Sequence, residues 1–287
     1  AMASSKPLDR IFVKGENNIT AEIPLFHSLS LYGIDGTTIK FSSYVSTNLN
    51  IFKFVGYQPP DNTVKFIFNK ILFMNAGKYA LNITGGAAAV DIIDCGFVNN
   101  GWNGTTLNTV LPATTNVFGY DSTPGELQGF YASTSVSDGG AMNLENITNI
   151  QIIGNRVLQN MRGIKIVDCG IDGNGFITRN VSAKNIDSGI YLGLGALSGC
   201  ENITVLMNFS AYNANNGILV TGGINNKFSQ NEVNGNWNGG FCAWSVANTT
   251  LRDCGLYDNN RSGYSGIGNV SDAKASIQIN ENFSYLD

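Results

Sequence analysis

The sequence predicts an all-β solenoid whose coils each contain three short strands, and three observations support this. An Asn follows a polar residue or Cys by five positions, and a Gly then opens a short apolar strand, in six segments: 95–104, 155–166, 180–192, 208–220, 231–243 and 254–266. Two successive units, 201–223 and 224–246, have the same length of 23 residues. No stretch shows the i, i+3, i+4, i+7 apolar spacing of an amphipathic helix.

Each unit supplies one strand before the first motif position, a second strand between the two positions and a third after the Gly. Three such strands cannot bury a face alone, but stacked in parallel they enclose a continuous core. Adjacent coils are then about 4.8 Å apart. Asn side chains at one turn position can hydrogen-bond along the stack. We therefore expect one row formed by Asn160, Asn185, Asn213, Asn236 and Asn259.

Side-chain alternation sorts the third strand into inward and outward residues. The predicted inward stacks are Ile164, Ile190, Ile218, Phe241 and Tyr264, and Ile166, Leu192, Val220, Ala243 and Gly266. The outward row between them is Lys165, Tyr191, Leu219, Cys242 and Ser265. The same strand one coil earlier directs Met142 and Leu144 inward and Asn143 and Glu145 outward, and further back Tyr79 and Leu81 face inward.

This repeat resembles the right-handed parallel β-helix of the pectate-lyase-like superfamily, which includes phage tailspikes and polysaccharide lyases. The opening stretch, RIFVKGENNITAEIPLFHSLSLYGIDGTTIKF, is similar to the first coil of many such proteins. The resemblance covers nearly the whole chain and implies the fold. It implies no single activity, since this fold carries many chemistries and also inert fibres.

Composition agrees with one β-helix domain, expected over 8–287, after a non-native remnant and linker at 1–7. The chain has 287 residues, 34 Gly, 13% charged residues and a net charge of −4. That mild acidity argues against nucleic-acid binding, which needs a basic stripe. No apolar run is long enough to span a membrane. Abundant Asn, Ser, Thr and Gly favours an extracellular or virion-surface location.

The five cysteines are an odd number without a CxxC pair, and we expect buried free thiols. Cys95 and Cys254 occupy the same turn position several coils apart, while Cys169 and Cys200 flank neighbouring turns. Many N-x-[ST] triplets are present, but Asn180 and Asn208 fall in predicted ladder positions, where a glycan cannot fit.

Several site types are excluded by residue content. His27 is the single histidine, so a Ser-His-Asp or Cys-His site has no general base beside a nucleophile. Zinc sites built on His or clustered Cys lack their ligands. Neither a P-loop nor a strand–GxGxxG–helix unit is present, which argues against nucleotide cofactors.

An insertion at 101–139 interrupts the repeat where the regular unit leaves only a few residues. Long loops on a rigid solenoid are usually functional. The insertion contains several aromatics, among them Trp102, Tyr120 and Tyr131, which are expected to bind substrate together with Trp244. It is predicted to overhang the outward residues as a binding wall, or to serve as an oligomer contact or structural cover.

The outward residues form a candidate site. Asn143 and Glu145 lie on one strand, Lys165 one coil on and Tyr191 one coil later. A uronate lyase must neutralise the substrate carboxylate and remove the neighbouring carbon-bound proton, which a cation or Arg and a Lys or Tyr can do. The candidate catalytic residues are Lys165, Glu145, Tyr191, Arg162 and Asp168, and the candidate substrate-binding residues include Asn143 and Tyr191.

The resemblance implies a further ligand, because several β-helix lyases hold a calcium ion with Asn and Glu. Asn143 and Glu145 are the corresponding residue types here. A hydrolase instead needs two facing carboxyl groups, with Glu145, Asp168, Asp187, Asp121 and Glu126 as candidates. Alternatively, Glu145–Lys165 and Arg162–Asp187 are simply ion pairs on a solvated face.

Three functions remain open. The first is recognition of an extracellular or cell-surface polysaccharide by a tailspike-like or adhesin-like β-helix. The second is polysaccharide cleavage, by a lyase or glycoside hydrolase, on the same face. The third is a structural solenoid that assembles into a fibre or homotrimer. The aromatic residues favour sugar contact, and the absence of a matched catalytic motif favours recognition.

Overall fold

The structure is a computed structural model that describes residues 9–41, 49–56, 61–101, 139–197, 199–237, 239–244, 246–257, 259, 270–273, 277–280 and 283–284. Within these ranges every regular element is a β-strand. None of the described residues belongs to a helix long and apolar enough to cross a membrane.

The strands of the N-terminal half are numbered in chain order. They are β1 (Asp9–Ile19), β2 (Ile23–Pro24), β3 (Leu29–Phe41), β4 (Phe52–Val55), β5 (Asp61–Asn69), β6 (Leu72–Met74), β7 (Tyr79–Thr84), β8 (Ala87–Ile93), β9 (Gly96–Val98), β10 (Gly140–Glu145), β11 (Asn149–Ile153), β12 (Arg156–Leu158), β13 (Ile164–Val167), β14 (Asn174–Thr178) and β15 (Val181–Ala183).

The strands of the C-terminal half continue the same order. They are β16 (Ile190–Gly193), β17 (Cys200–Glu201), β18 (Ile203–Leu206), β19 (Phe209–Ala211), β20 (Asn216–Val220), β21 (Gly223–Ile224), β22 (Lys227–Ser229), β23 (Glu232–Asn234), β24 (Gly239–Trp244), β25 (Val246–Ala247), β26 (Thr249–Arg252), β27 (Gly255–Tyr257), β28 (Val270–Ala273), β29 (Ile277–Asn280) and β30 (Phe283–Ser284).

The chain is a parallel β-helix, as the sequence predicts. Sheet A contains the first and second strands of each coil, for example β11 and β12. Sheet B contains the third strands, in the order β2, β4, β7, β10, β13, β16, β20, β24 and β28. A small sheet C, made of β17, β21 and β25, covers one corner. Each strand pairs in parallel with its equivalent one coil away, for example Ile164 with Ile190.

Two buried asparagine ladders form the corners that flank the second strand of each coil. The first ladder contains Asn155, Asn180, Asn208 and Asn231. Asn180 is typical, because its backbone N–H and its Nδ2 both donate to Asn208 Oδ1, at 3.0 and 2.9 Å. The second ladder confirms the predicted row of Asn160, Asn185, Asn213, Asn236 and Asn259, and Asn100 extends it.

The ladders exist because a corner breaks the strand hydrogen bonds. Where it is described, the residue before a ladder position has positive φ, as at Arg179 (57°) and Lys184 (58°). The backbone N–H that follows then needs a partner, since an unpaired buried N–H costs about 1–3 kcal/mol. The Asn amide of the next coil supplies that acceptor. Because Asn180 and Asn208 are fully enclosed in this way, neither can carry a glycan.

The motif glycine is explained by the second ladder. A Cβ at Gly189 would lie 2.2 Å from Ser210 Oγ and 2.6 Å from Asn213 Nδ2. A Cβ at Gly217 would lie 2.7 Å from Asn236 Nδ2 in the same way. Gly189 directly precedes β16 and Gly217 is the second residue of β20, and only glycine can pass this close to the ladder.

The predicted inward stacks are confirmed where the structure describes them. Ile164, Ile190, Ile218 and Phe241 are at most 1% exposed, and Ile166, Leu192, Val220 and Ala243 are fully buried. Tyr264 and Gly266 fall outside the described residues. Val270 and Asp272, rather than those two residues, pair with Phe241 and Ala243, so the last coil is longer than the repeat predicts.

All five cysteines are buried and free, as expected. Cys95 and Cys254 do share a corner position, at the two ends of the first ladder. Burial raises the pKa of the Cys95, Cys200 and Cys242 thiols to about 12. These thiols therefore stay protonated near neutral pH and act as small apolar fillers.

The number of residues in a coil is not constant. Successive first-ladder positions are 25, 28 and 23 residues apart. The 28-residue coil contains the extra loop 194–199 between β16 and β17. The predicted 23-residue period therefore holds from Asn208 to Cys254, while the coils before and after this stretch are longer.

Ile190→Asp should prevent folding, because it places an unpaired carboxylate inside the apolar stack, at a cost of at least about 4 kcal/mol. Ile190→Val is the matched control and should cost only about 1 kcal/mol. Soluble yield and thermal unfolding by circular dichroism measure both. An Ile190→Asp protein that melted like the parent would mean that β16 does not face the core.

Asn213→Ala should destabilise the chain by about 2–4 kcal/mol. It removes the acceptor of the Asn185 backbone N–H at 3.1 Å and the donor to Asn236 Oδ1 at 2.9 Å. Asn174→Ala, at an exposed position, should stay within about 0.5 kcal/mol. Equal midpoints for the two variants in urea titrations would contradict a stabilising role for the ladder.

Candidate functional site

A row of five outward residues, here the polar row, crosses five consecutive strands of sheet B. It contains Lys53, Asn82, Asn143, Lys165 and Tyr191, each directly paired with the next. Four inter-strand steps of about 4.8 Å give the row a length of about 19 Å. The three predicted residues Asn143, Lys165 and Tyr191 are thus brought together, and Lys53 and Asn82 extend them toward the N-terminus.

Sequence reasoning missed Lys53 and Asn82, although a signal was present. Phe52–Lys53–Phe54 repeats the apolar–polar–apolar alternation of Ile164–Lys165–Ile166. The distance in sequence between these segments, with an insertion between them, hid the shared register.

Tyr191 is the last residue of the row that is both polar and partly exposed. Leu219 and Cys242 continue it in register, but they are only 9% and 3% exposed. Cys242 Sγ contacts Asn216 Oδ1 at 3.0 Å. Ser265 lies outside the described residues, and Ser271 pairs with Cys242. The sequence therefore predicts correctly that Leu219 and Cys242 lie in one row with Tyr191. These two side chains are nevertheless buried.

Asn143 is held at the centre of the polar row. Its Nδ2 donates to Asn82 Oδ1 at 2.9 Å. Its Oδ1 is buried and has no hydrogen-bond partner among the described residues. An unpaired buried acceptor is unfavourable by about 1–3 kcal/mol, so this oxygen is a point where a hydroxyl or N–H donor would be stabilising.

Lys165 and Arg162 both meet a tyrosine from a distant part of the chain. The Lys165 Nζ lies 5.7 Å from the centroid of the Tyr79 ring, a cation–π distance. Arg162 Nη1 lies 3.3 Å from Tyr79 Oη. Because Tyr79 itself is fully buried, it orients the two cations and does not reach a ligand.

Arg162 and Asp187 form the ion pair that the sequence suggested. Arg162 Nε donates to Asp187 Oδ2 at 2.8 Å, with side chains 24% and 19% exposed. Burial opposes the charge on Arg162, but Tyr79 and Asp187 outweigh it and raise the pKa of the guanidinium. Asp187 Oδ1 also accepts from Asn215 Nδ2 at 2.8 Å. The guanidinium of Arg162 and the carboxylate of Asp187 are therefore both engaged in a hydrogen-bond network along the corner beside sheet B.

The Tyr191 ring lies flat over the neighbouring glycine. A Cβ at Gly193 would be 2.6 Å from Tyr191 Cε1, so a glycine is required for this orientation. The Tyr191 hydroxyl hydrogen-bonds Thr221 Oγ1 at 3.0 Å, and Thr221 Oγ1 also accepts from the Leu194 N–H. The result is a fixed, half-buried aromatic surface at the C-terminal end of the polar row.

Asp168 does not join the polar row. It is 2% exposed, and its carboxylate accepts the backbone N–H groups of Gly195, Leu197 and Gly199 at 3.0, 2.8 and 2.9 Å. All three donors lie in the loop 194–199. These three hydrogen bonds make Asp168 the anchor of that loop.

Glu145 lies two residues from Asn143 on β10 and pairs with Val167 of β13. It is half-buried at the edge of the same face. The described ranges contain no cluster of three or more His, Cys, Asp or Glu side chains that could hold a metal ion. Asn143 and Glu145 supply at most three side-chain oxygen ligands, where calcium takes six to eight.

The predicted aromatic contacts fall on residues outside the description. Trp102, Tyr120 and Tyr131 belong to 102–138, and for Trp244 only the backbone in β24 is described. The two ends of the insertion do meet, since a Cβ at Gly139 would be 2.8 Å from the Gly101 Cα. The insertion thus leaves and rejoins the solenoid next to β10, the strand that carries Asn143.

Comparison with known proteins shows similarity to solved structures. No family model and no curated protein matches the chain. The A-module of the Azotobacter vinelandii mannuronan C-5 epimerase AlgE6 is similar over 91% of this chain and 70% of its own length, at 13% identity and a TM-score of 0.39. A mutant of the periplasmic alginate epimerase AlgG is similar over 94% and 77%, at 15% identity and a TM-score of 0.31.

Tailspike protein 3 of bacteriophage CBA120 is also similar, over 99% of this chain and 56% of its own length, at 12% identity and a TM-score of 0.25. Identities this low concern the fold alone. These similarities assign no role to the residues of the polar row.

Asp168→Asn should loosen the loop 194–199. The amide keeps the shape but turns one acceptor into a donor that faces a backbone N–H, at a cost of about 1–3 kcal/mol. Amide hydrogen exchange at Leu197 should accelerate, and the unfolding midpoint should fall. The control is Asp172→Asn, at an exposed position of the preceding turn. Unchanged exchange at Leu197 would show that another group holds the loop.

Proposed function

We propose that this protein recognises a polysaccharide along the polar row of sheet B. The observation that carries the proposal is the direct register of five polar residues on five neighbouring strands, Lys53 to Tyr191. A rigid, extended row of donors, acceptors and one aromatic ring suits an extended chain of sugar rings. It suits a folded protein partner less well, because protein interfaces are centred on larger apolar clusters.

Three residues of the row have a role in this proposal. Lys165, oriented by Tyr79, contacts an acidic or hydroxyl group of the glycan. Asn143, whose buried Oδ1 has no partner among the described residues, accepts from a sugar hydroxyl after its side chain turns toward the ligand. The flat Tyr191 ring packs against the apolar face of a sugar. Such a ligand is met outside the cell or on a virion surface, so we expect the protein to act there, and a homotrimer would present three parallel rows.

Cleavage of the bound polysaccharide is the second candidate, because Lys165 and Arg162 are both held near the row. A lyase needs a cation for the substrate carboxylate and a base for the neighbouring proton. Lys165 can serve one role, but Arg162 is engaged with Asp187, and Tyr79 is buried. The geometry therefore supports recognition better than cleavage. The third candidate, a structural fibre, requires no ligand on this face.

Lys165→Ala and Tyr191→Ala should each weaken polysaccharide binding about tenfold, which corresponds to about 1.4 kcal/mol. Stability should fall by no more than about 1 kcal/mol, because both positions are partly exposed. The control is Lys227→Ala, an exposed lysine on β22 of sheet A. Binding is measured by biolayer interferometry on immobilised acidic and neutral polysaccharides.

The same panel is assayed for depolymerisation, through new reducing ends and unsaturated-uronate absorbance. Activity that disappears in Lys165→Ala while binding remains would replace recognition by the lyase. Binding that is equal in the parent, both variants and the control would exclude the polar row as the site. A parent that binds no glycan would favour the structural fibre.

A further inference from the structure

A pocket of about 480 Å³ lies at the N-terminal end of sheet B. The residues that line it include Glu22, Phe26, Lys53, Val55, Gly85 and Gly86. Its volume is in the range of sites that take small molecules, roughly 300–1,000 Å³. It is separate from the centre of the polar row but shares Lys53 with it.

The apolar wall of the pocket is unusually exposed. Phe26 is 80% exposed and Val55 is 61% exposed, while the core-facing residues beneath them, Leu25 and Phe54, are buried. An exposed phenylalanine at the rim of a pocket offers a flat apolar surface on which a ring can pack. It is not needed to complete the core, because Phe54 already packs edge-on against Phe66 at 4.9 Å.

The polar side of the pocket is an oriented ion pair. Glu22 Oε2 accepts from the Asn50 backbone N–H at 3.1 Å and from Asn50 Nδ2 at 2.6 Å. Glu22 Oε1 lies 3.6 Å from Lys53 Nζ. The pair therefore presents one acceptor and one donor side by side, with their charges compensating each other. This arrangement suits a hydroxyl, which both donates and accepts, better than a carboxylate or sulfate, which Glu22 repels.

Backbone forms the remaining wall of the pocket. A Cβ at Gly56 would lie 1.9 Å from the Gly85 carbonyl oxygen, and Gly85 and Gly86 have φ of +87° and +93°. Side chains are thus excluded at Gly56 by contact and at Gly85 and Gly86 by conformation.

We propose that this pocket is a terminal subsite that binds one uncharged sugar ring. Phe26 packs on the apolar face of the ring, and Glu22 and Lys53 share a hydrogen bond with one of its hydroxyls. Because Lys53 also starts the polar row, the pocket would hold the end of the same glycan whose following sugars lie along the row. The ligand class is then a polysaccharide or oligosaccharide with a neutral sugar at the end held here. This extension rests on the proposed function, but its own test does not.

The test uses free monosaccharides, which are too small to engage the row. Saturation-transfer NMR on the full chain is recorded with the methyl glycosides of glucose, galactose and mannose, and with sodium glucuronate and galacturonate as acidic probes. At least one neutral glycoside should bind, and the acidic probes should bind more weakly. Phe26→Ala and Glu22→Gln should each weaken the neutral probe by about tenfold or more. Phe176→Ala, an exposed phenylalanine on sheet A, is the matched control and should change nothing.

The outcomes separate the two proposals. Neutral probes that fail to bind, acidic probes that bind more tightly, or binding that persists in Phe26→Ala would each overturn the terminal subsite. Monosaccharide binding that depends on Phe26, together with polysaccharide binding that is insensitive to Lys165→Ala, would keep the subsite and remove the row. Because Phe26 is exposed, Phe26→Ala should fold normally, and circular dichroism verifies this before binding is measured.

Discussion

Two ladders of buried asparagine amides, one from Asn155 to Asn231 and one from Asn100 to Asn259, set the register on which the other features of these coils depend. A coil can turn sharply only if one residue adopts positive φ, and this leaves the next backbone N–H without a strand partner. The amide of the adjacent coil accepts that N–H and also the amide above it, as Asn208 does for Asn180. A slip by one residue would break these bonds and turn each strand inside out. The ladders therefore lock neighbouring coils in one alignment.

Register turns a linear repeat into a surface. Once strands of sheet B align residue for residue, every outward position becomes a straight row, and the polar row is the one with mixed donors, acceptors and an aromatic ring. The corners can change length without disturbing the rows, because the ladder residues on either side keep their bonds. The insertion begins after Gly101 and ends before β10, the strand of Asn143, and the loop 194–199 follows β16, the strand of Tyr191. Such additions on one side of a solenoid are where binding specificity usually develops.

Charged side chains near this face form ion pairs rather than a positively charged surface. Arg162 is paired with Asp187, and Lys53 lies beside Glu22. This favours a ligand recognised by directed hydrogen bonds over one captured by net charge, in agreement with the overall charge of −4. The Lys165 ammonium lies over the ring of Tyr79, the same residue whose hydroxyl contacts Arg162.

The sequence by itself determined the fold, the second ladder and the inward stacks, because period and alternation are one-dimensional properties that survive without knowing any distance. It also brought Asn143, Lys165 and Tyr191 to one row. Only the tertiary structure decided that Asp168 anchors a loop about thirty residues away, and that Tyr79 meets Arg162 across 83 positions. The burial of Leu219 and Cys242 and the pocket beside Phe26 were decided in the same way. These features depend on contacts between coils of unequal length, which a regular repeat does not encode.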